Sequence, residues 1–289
     1  MTEQERYFKP PGADHQSVTE ESPLLSGSYL DRFAGVGRSY GLFALDALVG
    51  AHACVVGIGG VGSWSAESLV RSGVGRITLI DLDEICVTNT NRQIHALTST
   101  IGQPKVEAMA KRLMDINPEL VVHSQQLFYT EKSEELLLGP LSSSADDLPR
   151  FDVLIDAIDQ TQRKAQLIIA CTQRRIPIIT CGAAGGRRAP HKVMTADLRD
   201  STHDGLLRRV KKLLKKTDRF IQGVELEGGE WGIPAIFSKE NPYYPTACGG
   251  VSRTPPTREA LRLDCNVGFG SLSFVTATFG LTAASLAID

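Results

Sequence analysis

The sequence predicts an α/β protein with an open, doubly wound, mostly parallel sheet and a less regular C-terminal region. Three observations carry this expectation. Short apolar runs rich in β-branched residues alternate with helical patterns from residue 51 to residue 182. One run leads straight into a glycine cluster, Gly57-Ile58-Gly59-Gly60-Val61-Gly62, that opens a helical pattern. Two runs, residues 76–81 and 151–156, end in a carboxylate, Asp81 and Asp156. The strands read as continuous apolar stretches, as a sheet covered by helices on both faces requires.

Residues 1–28 are polar, contain proline and lack periodicity, which reads as a disordered tail. No long apolar stretch opens the chain, so a secretory signal is not expected. The first ordered element is expected near Tyr29, and residues 40–48 have helical spacing through Leu42, Ala44, Leu45 and Leu48. A strand at 51–57, a helix at 63–72 and a strand at 76–81 follow, making a right-handed βαβ unit of the Rossmann-like kind. The alternation continues with a helix at 105–114, a strand at 121–125 and a Ser- and Asp-rich surface connection at 141–150. A strand at 151–156, a helix at 164–174 and a strand at 177–182 complete it. Beyond Gly182 the pattern weakens into a glycine- and alanine-rich turn (182–186), a strand (191–198), an amphipathic helix (205–216) and a mostly loop-like stretch (228–258). The expected organisation is a tail (1–28), a core (29–198) and a C-terminal region (199–289) whose apolar helix completes the core.

Bulk properties exclude some functions. A chain of 289 residues, 42% hydrophobic, suffices for one large α/β domain with an appended region. The formal net charge of -2 gives no global attraction to nucleic acid, so any RNA contact must come from a local patch. The six cysteines, Cys54, Cys86, Cys171, Cys181, Cys248 and Cys265, include no C-x-x-C pair. That spacing disfavours structural zinc and a disulfide framework and suits a reducing compartment. Cys248 and Cys265 lie in the less regular region and are the candidates for a reactive thiol, which needs a lowered pKa.

Gly57, Gly59 and Gly62 match G-x-G-x-x-G between a strand and a helix. Glycine lets the backbone approach a phosphate closely, and the helix N-terminus offers free N–H groups to it. Asp81 ends the second strand, where a carboxylate would accept hydrogen bonds from ribose hydroxyls. These features indicate a nucleotide but do not separate NAD from ATP. The next segment does. Asp81-Leu82-Asp83 and Thr88-Asn89-Thr90-Asn91-Arg92-Gln93 add a second acid, amides and an arginine, and Gly102-Gln103-Pro104-Lys105 places a lysine at a helix start. Arg92 and Asn89 suit phosphate oxygens, and Lys105 is a point charge suited to a triphosphate.

The succession G-x-G-G-x-G, D-x-D, N-x-N-R-Q and G-x-x-K resembles the superfamily of ubiquitin-activating enzymes and the ThiF-like adenylyltransferases of sulfur-carrier proteins. Within it, the stretches Arg32-Phe33, Tyr40-Gly41, 55–64, 86–97, 153–159 and 275–280 resemble the tRNA threonylcarbamoyladenosine dehydratase family. The resemblance runs from about residue 30 to the C-terminus, broken at 141–150 and 240–262. It implies that 29–198 is an ATP-binding adenylation core. It also implies ATP-dependent dehydration of threonylcarbamoyladenosine next to the tRNA anticodon, through adenylation of the threonyl carboxylate and ring closure by a nitrogen of the same side chain. Intramolecular closure makes positioning a large part of the rate.

By the same resemblance Gly57, Gly59, Gly60 and Gly62 line the phosphates, Asp81 and Asp83 hold the nucleotide, and Asn89, Arg92 and Lys105 stabilise charge as pyrophosphate leaves. Asp159 matches the family carboxylate that helps hold Mg2+. The superfamily works as homodimers in which an arginine reaches into the partner's site; Arg32 and Arg38 both precede the first strand where that arginine lies, and the sequence does not choose between them. A monovalent cation and a cysteine-desulfurase sulfur system are further associations of the family, and a cytoplasmic location follows.

Arg208, Arg209, Lys211, Lys212, Lys215, Lys216 and Arg219 accompany an apolar stripe of Leu206, Leu207, Val210, Leu213 and Leu214. The charged face reads as tRNA-phosphate binding, with an anionic membrane surface as the alternative. The segment from Val267 to Ile288 carries no charge and approaches the length of a membrane span, yet its glycines and hydroxyl residues read better as a helix buried against the sheet. Three alternatives to tRNA dehydration stay open: activation of a ubiquitin-like or sulfur-carrier protein, an NAD-dependent dehydrogenase, and an RNA-binding adaptor that keeps the nucleotide fold without catalysis.

Overall fold

A computed structural model describes residues 25–141, 150–217, 230–246, 248–255 and 269–289. Two helices precede the sheet, α1 (Gly27–Tyr40) and α2 (Leu42–Gly50), separated by Gly41 at φ 91. Helix α1 starts two residues before Tyr29, the expected first ordered position, because the Ser26 side chain accepts the Tyr29 N–H and caps it. Most of the expected tail, residues 1–24, lies outside the described residues. Tyr29, Phe33 and Leu45 pack together, and the Tyr29 hydroxyl donates to the Gly73 carbonyl at 2.6 Å. This seats α1 at the amino ends of the strands.

The strands are β1 (His52–Val56), β2 (Arg76–Ile80), β3 (Val121–Gln125), β4 (Val153–Asp156), β5 (Ile178–Cys181), β6 (Val193–Asp197) and β7 (Pro234–Ser238). Their spatial order is β3-β2-β1-β4-β5-β7-β6, parallel throughout except for the β6–β7 edge. The connecting helices are α3 (Gly62–Arg71), α4 (Lys105–Ile116), α5 (Glu134–Leu138), α6 (Thr161–Gln173) and α7 (Gly205–Leu214). A small hairpin, β8 (Tyr244–Pro245) and β9 (Val251–Ser252), and the last helix α8 (Ser273–Ile288) follow. The expected doubly wound, mostly parallel sheet is present.

Residues of β1 alternate between two cores, which explains its unbroken apolar run. Cys54 and Val56 join Leu137, Leu167, Leu207 and Val210 beneath α5, α6 and α7. Ala53 and Val55 join Leu69, Met109, Val275 and Phe279 beneath α3, α4 and α8. Helix α8 lies directly on α3: a Cβ on Gly280 would sit 2.5 Å from the Val61 carbonyl and 2.8 Å from the Trp64 Cβ. The uncharged C-terminal segment is thus a buried sheet-covering helix where described, and among the described residues no helix is long and apolar enough to cross a membrane.

Three local expectations are corrected. Residues 228–258, read as mostly loop, contribute β7, which inserts between β5 and β6. Its apolar run, Ile233-Pro234-Ala235-Ile236-Phe237, is short and holds a proline, which argues against a central strand, and its burial is supplied by neighbouring strands. Helix α5 escaped notice because five residues carry no helical period. Leu213, placed on the apolar stripe of α7, is 36% exposed.

Candidate active site

In this strand order β1 has β2 on one side and β4 on the other, so the crevice at their carboxyl ends is the topological switch point where open α/β sheets bind ligands. A cavity of about 1200 Å³ opens there. The glycine turn forms its wall, and each glycine has a distinct reason. Gly57 has φ 90, and its missing Cβ would lie 3.0 Å from the Ala157 carbonyl beyond β4. Gly59 faces open space except for Gln93 at 4.0 Å, so a ligand can approach its backbone. Gly62 starts α3 hard against the Gly57 carbonyl, where no Cβ fits; it shapes the turn but does not line the cavity.

Asp81 ties this turn to the next. Its Oδ2 accepts the Ile58 N–H at 2.7 Å and its Oδ1 the Asp83 N–H at 2.8 Å. Burial raises its pKa, and Lys105 opposes the rise. The Lys105 ammonium is nearly buried and pairs with Asp83 Oδ2 at 2.7 Å, with Asp81 Oδ1 at 4.0 Å. Asp83 is therefore an ion-pair partner of the lysine. Asn89 is buried, with its Oδ1 accepting the Cys86 N–H at 3.0 Å. The turn after it is pinned from two helices: the Arg92 carbonyl accepts from Trp64 Nε1 at 3.1 Å and from Thr276 Oγ1 at 3.3 Å. The Arg92 guanidinium donates to the Thr88 carbonyl at 2.7 Å and to Asn91 Oδ1 at 3.0 Å. Gly57, Gly59, Gly60, Asp81, Asp83, Asn89, Arg92, Lys105 and Asp159 all line the one cavity.

Asp156 does not line it. The side chain is fully buried, paired with Lys164 Nζ at 2.8 Å and hydrogen-bonded by Thr180 Oγ1 at 2.8 Å. It also accepts the Ile158 N–H at 3.1 Å and so fixes the turn that presents Asp159. Among the described residues no group of three His, Cys, Asp or Glu is arranged to hold a metal ion.

The cavity continues past β4 and β5 to α7, where Arg208, Arg209 and Lys211 line it; Lys212, Lys215 and Lys216 do not, and Arg219 lies outside the described residues. Lys211 Nζ donates to the Ser201 carbonyl at 2.7 Å. Arg32 and Arg38 sit on α1, away from this chain's own cavity. Sequence reasoning missed Gln93, Arg163, Arg187, Tyr244 and Phe269, which line the cavity as well. Gln93 sits beside Arg92 and was legible there; the others come from segments that only the fold brings together. Cys54, Cys171 and Cys181 are buried, and burial pushes their thiols up, Cys181 to about 12. Cys248 is exposed on the β8–β9 hairpin, its pKa lowered by a hydrogen bond with Thr246, and it lines no part of the cavity; Cys265 lies outside the described residues.

Fold and site define a nucleotide-binding α/β protein of the adenylating type, with the glycine turn, Arg92 and Lys105 at one end of its cavity and a basic helix at the other. The model of the ThiF family matches residues 34–288. The chain is 41% identical to the tRNA threonylcarbamoyladenosine dehydratase of Escherichia coli (strain K12), over 92% of this chain and 96% of that protein. It is also 41% identical to the Haemophilus influenzae protein of the same name, over 91% and 94%. The crystal structure of the E. coli dehydratase in complex with ATP is similar with a TM-score of 0.76 at 40% identity, covering 91% of this chain and 94% of that one. The chain therefore belongs to the ThiF family and, within it, to the tRNA threonylcarbamoyladenosine dehydratases.

Proposed function

We propose that this protein uses ATP to dehydrate N6-threonylcarbamoyladenosine in tRNA. One observation carries the reading: a single cavity holds Gly57, Gly59, Gly60, Asn89, Arg92 and Lys105 at one end and three cations of α7 at the other. The chain's coverage of relatives named for that reaction supports it.

The chemistry divides into two steps. The threonyl carboxylate attacks the α-phosphorus of ATP, and the bond to the β-phosphate oxygen breaks as pyrophosphate leaves. A carbamoyl nitrogen then attacks the activated acyl carbon, losing its proton as AMP departs and the ring closes. Gly57, Gly59 and Gly60 hold the phosphates, and Asp81 the ribose, in this reading. Arg92, Asn89 and Lys105 stabilise the charge that develops on the leaving pyrophosphate. For Lys105 this means exchanging part of its ion pair with Asp83 for phosphate. Asp159 would hold Mg2+ together with phosphate oxygens, an arrangement that needs one or two carboxylates and no all-protein cage; bound there, the ion neutralises triphosphate charge. Arg208, Arg209 and Lys211 at the cavity, with Lys212, Lys215 and Lys216 beyond it, contact the RNA backbone.

A homodimer belongs to the same reading. Leu42 and Phe43 open α2 at 66% and 71% exposure, beside Tyr40, whose hydroxyl donates to Asp289 at the end of α8. Such an apolar surface marks an interface. Arg38, in the last turn of α1, adjoins this surface, whereas Arg32 leans on the Ile116 carbonyl at 3.5 Å. Arg38 is therefore the arginine we assign to the partner's site. Light scattering is expected to show a dimer that Phe43→Glu converts to monomer; an unchanged mass sinks this assignment.

The test of function is to incubate the protein with MgATP and tRNA bearing the modified adenosine, digest the RNA and weigh the nucleosides. Loss of one water, dependent on ATP and absent in Arg92→Ala, is the expected result. An unchanged nucleoside overturns the reading.

A further inference from the structure

Arg187 is 2% exposed and lines the cavity, yet most of its guanidinium is unused. Of five N–H donors, only those on Nη2 are engaged, with Asp204 Oδ2 and the His203 carbonyl, each at 3.2 Å. Nε is buried without a partner, and the hydrogen bonds of the guanidinium among the described residues run through Nη2. Asp204 has no capacity left for Nε. Its Oδ1 caps α7 by accepting the Leu206 and Leu207 N–H groups, each at 2.9 Å, and its Oδ2 also accepts the Ala183 N–H at 2.9 Å. Leaving buried donors unpaired costs stability, so an arginine kept in this state calls for a reason beyond packing.

Its place in the sheet supplies one. Arg187 follows β5, which lies two strands from β1, or about 10 Å across the sheet by the usual strand spacing, and it lines the same cavity as the glycine turn. Asp81 draws the nucleoside toward β2, so the β4–β5 side is left for the acceptor. The chain reaches Arg187 through a second glycine loop that is packed tightly. A Cβ on Gly182 would meet Asp204 Oδ2 at 2.5 Å, and Gly186, at φ 74, would meet the Tyr243 carbonyl at 2.8 Å. The guanidinium is thereby held in place before any ligand arrives.

We propose that Arg187 binds the carboxylate of the threonylcarbamoyl side chain and holds it at the acceptor end of the cavity for attack on ATP. This rests on the function proposed above. The ligand is a planar oxyanion, chemistry a guanidinium suits. An RNA phosphate is the other source of an oxyanion, but the exposed Arg208 and Arg209 at the mouth are placed for backbone contacts, whereas Arg187 is interior.

The experiment compares wild type, Arg187→Gln and Arg187→Lys on an anticodon stem-loop RNA carrying either the modified or an unmodified adenosine. Anisotropy reads RNA affinity, calorimetry reads ATP affinity, and turnover separates KM from kcat. Wild type should prefer the modified RNA. Arg187→Gln should lose that preference and raise KM by about tenfold, the scale of one charge-assisted contact, with ATP affinity kept within about twofold. Should Arg187→Gln fail to bind ATP, Arg187→Lys, which keeps a cation against Asp204, is read in its place and is expected to show a several-fold loss of preference. Retained preference and KM overturn the proposal. Equal weakening of both RNAs also overturns it, assigning Arg187 to a backbone phosphate. A wild type that dehydrates nothing fails the function itself, a result separate from either.

Discussion

One end of the cavity, which the proposed function gives to the nucleotide, is built from residues 57–105 plus the turn at Asp159, whereas the other, given to the acceptor, gathers Arg163, Arg187, the Asp204-capped start of α7, Tyr244 and Phe269. In the first half, groups close in sequence hold one another. Asp81 binds the backbone of Ile58 and Asp83, and Lys105 bridges the two aspartates. The second half depends on tertiary contacts across wide separations. The Gly186 N–H donates to the Gly270 carbonyl and the Gly186 carbonyl accepts the Tyr243 N–H, each at 2.7 Å, while the Tyr244 and Phe269 rings meet tilted with centroids 5.3 Å apart. The difference teaches a division of labour. Under the proposed function, a compact, self-bonded half serves any reaction that spends a nucleotide, and a half assembled from distant segments selects what the nucleotide activates.

Substitutions can break or sharpen that division. The largest effect is expected at Arg92: Arg92→Ala should lower kcat by about 10²–10³, the range for losing one preorganised charge-stabilising donor, with RNA affinity little changed. Loss of RNA affinity in that variant would show the halves to be one unit. Next comes the acceptor rim. Arg208→Glu with Arg209→Glu should raise KM for tRNA by about tenfold and leave ATP affinity intact. The salt dependence of RNA binding should flatten by about one unit of slope for each phosphate that the variant no longer neutralises. Weakened ATP binding in this pair would again argue against separable halves.

The smallest effect concerns pH. His95 lies fully buried behind the Arg92 turn, with neither ring nitrogen partnered, and burial lowers its pKa to about 4, with Lys105 and Arg112 contributing. The ordinary histidine value is near 6.5. Between those values the unfolded chain binds the proton and the folded chain does not, so stability is present above pH 6.5 and is lost as pH falls toward 4. From pH 7 to pH 5 the loss from this group is about 2 kcal/mol. Denaturant melts of His95→Leu at both pH values should show a correspondingly smaller drop; an identical drop in wild type and variant refutes the assignment. The nucleotide half should then be the acid-sensitive one, with ATP binding failing before RNA binding as pH falls.

Legibility followed the same line. That the glycine turn, Asp81, Asn89, Arg92 and Lys105 belong together was readable because a phosphate-binding reading needs particular residues at short spacing, beside a strand and a helix that their periods reveal, and all of them line one cavity. Asp159 was singled out only through resemblance, and the fold brings it to the same cavity. The basic face of α7 was visible as composition, but its meeting with the phosphate cradle was not, since the sheet order separates them by strands that the chain visits out of sequence.

The sequence by itself determined the alternation of strands and helices, the phosphate turn and the cations, because each depends on local backbone chemistry. Tertiary structure alone decided that β7 slips between β5 and β6, that α8 closes on α3 at Gly280, and that Arg187 stands with unspent donors in the same cavity as the glycine turn. Those outcomes turn on which distant surfaces bury one another, and burial is a property of the assembled fold, absent from any short stretch of chain.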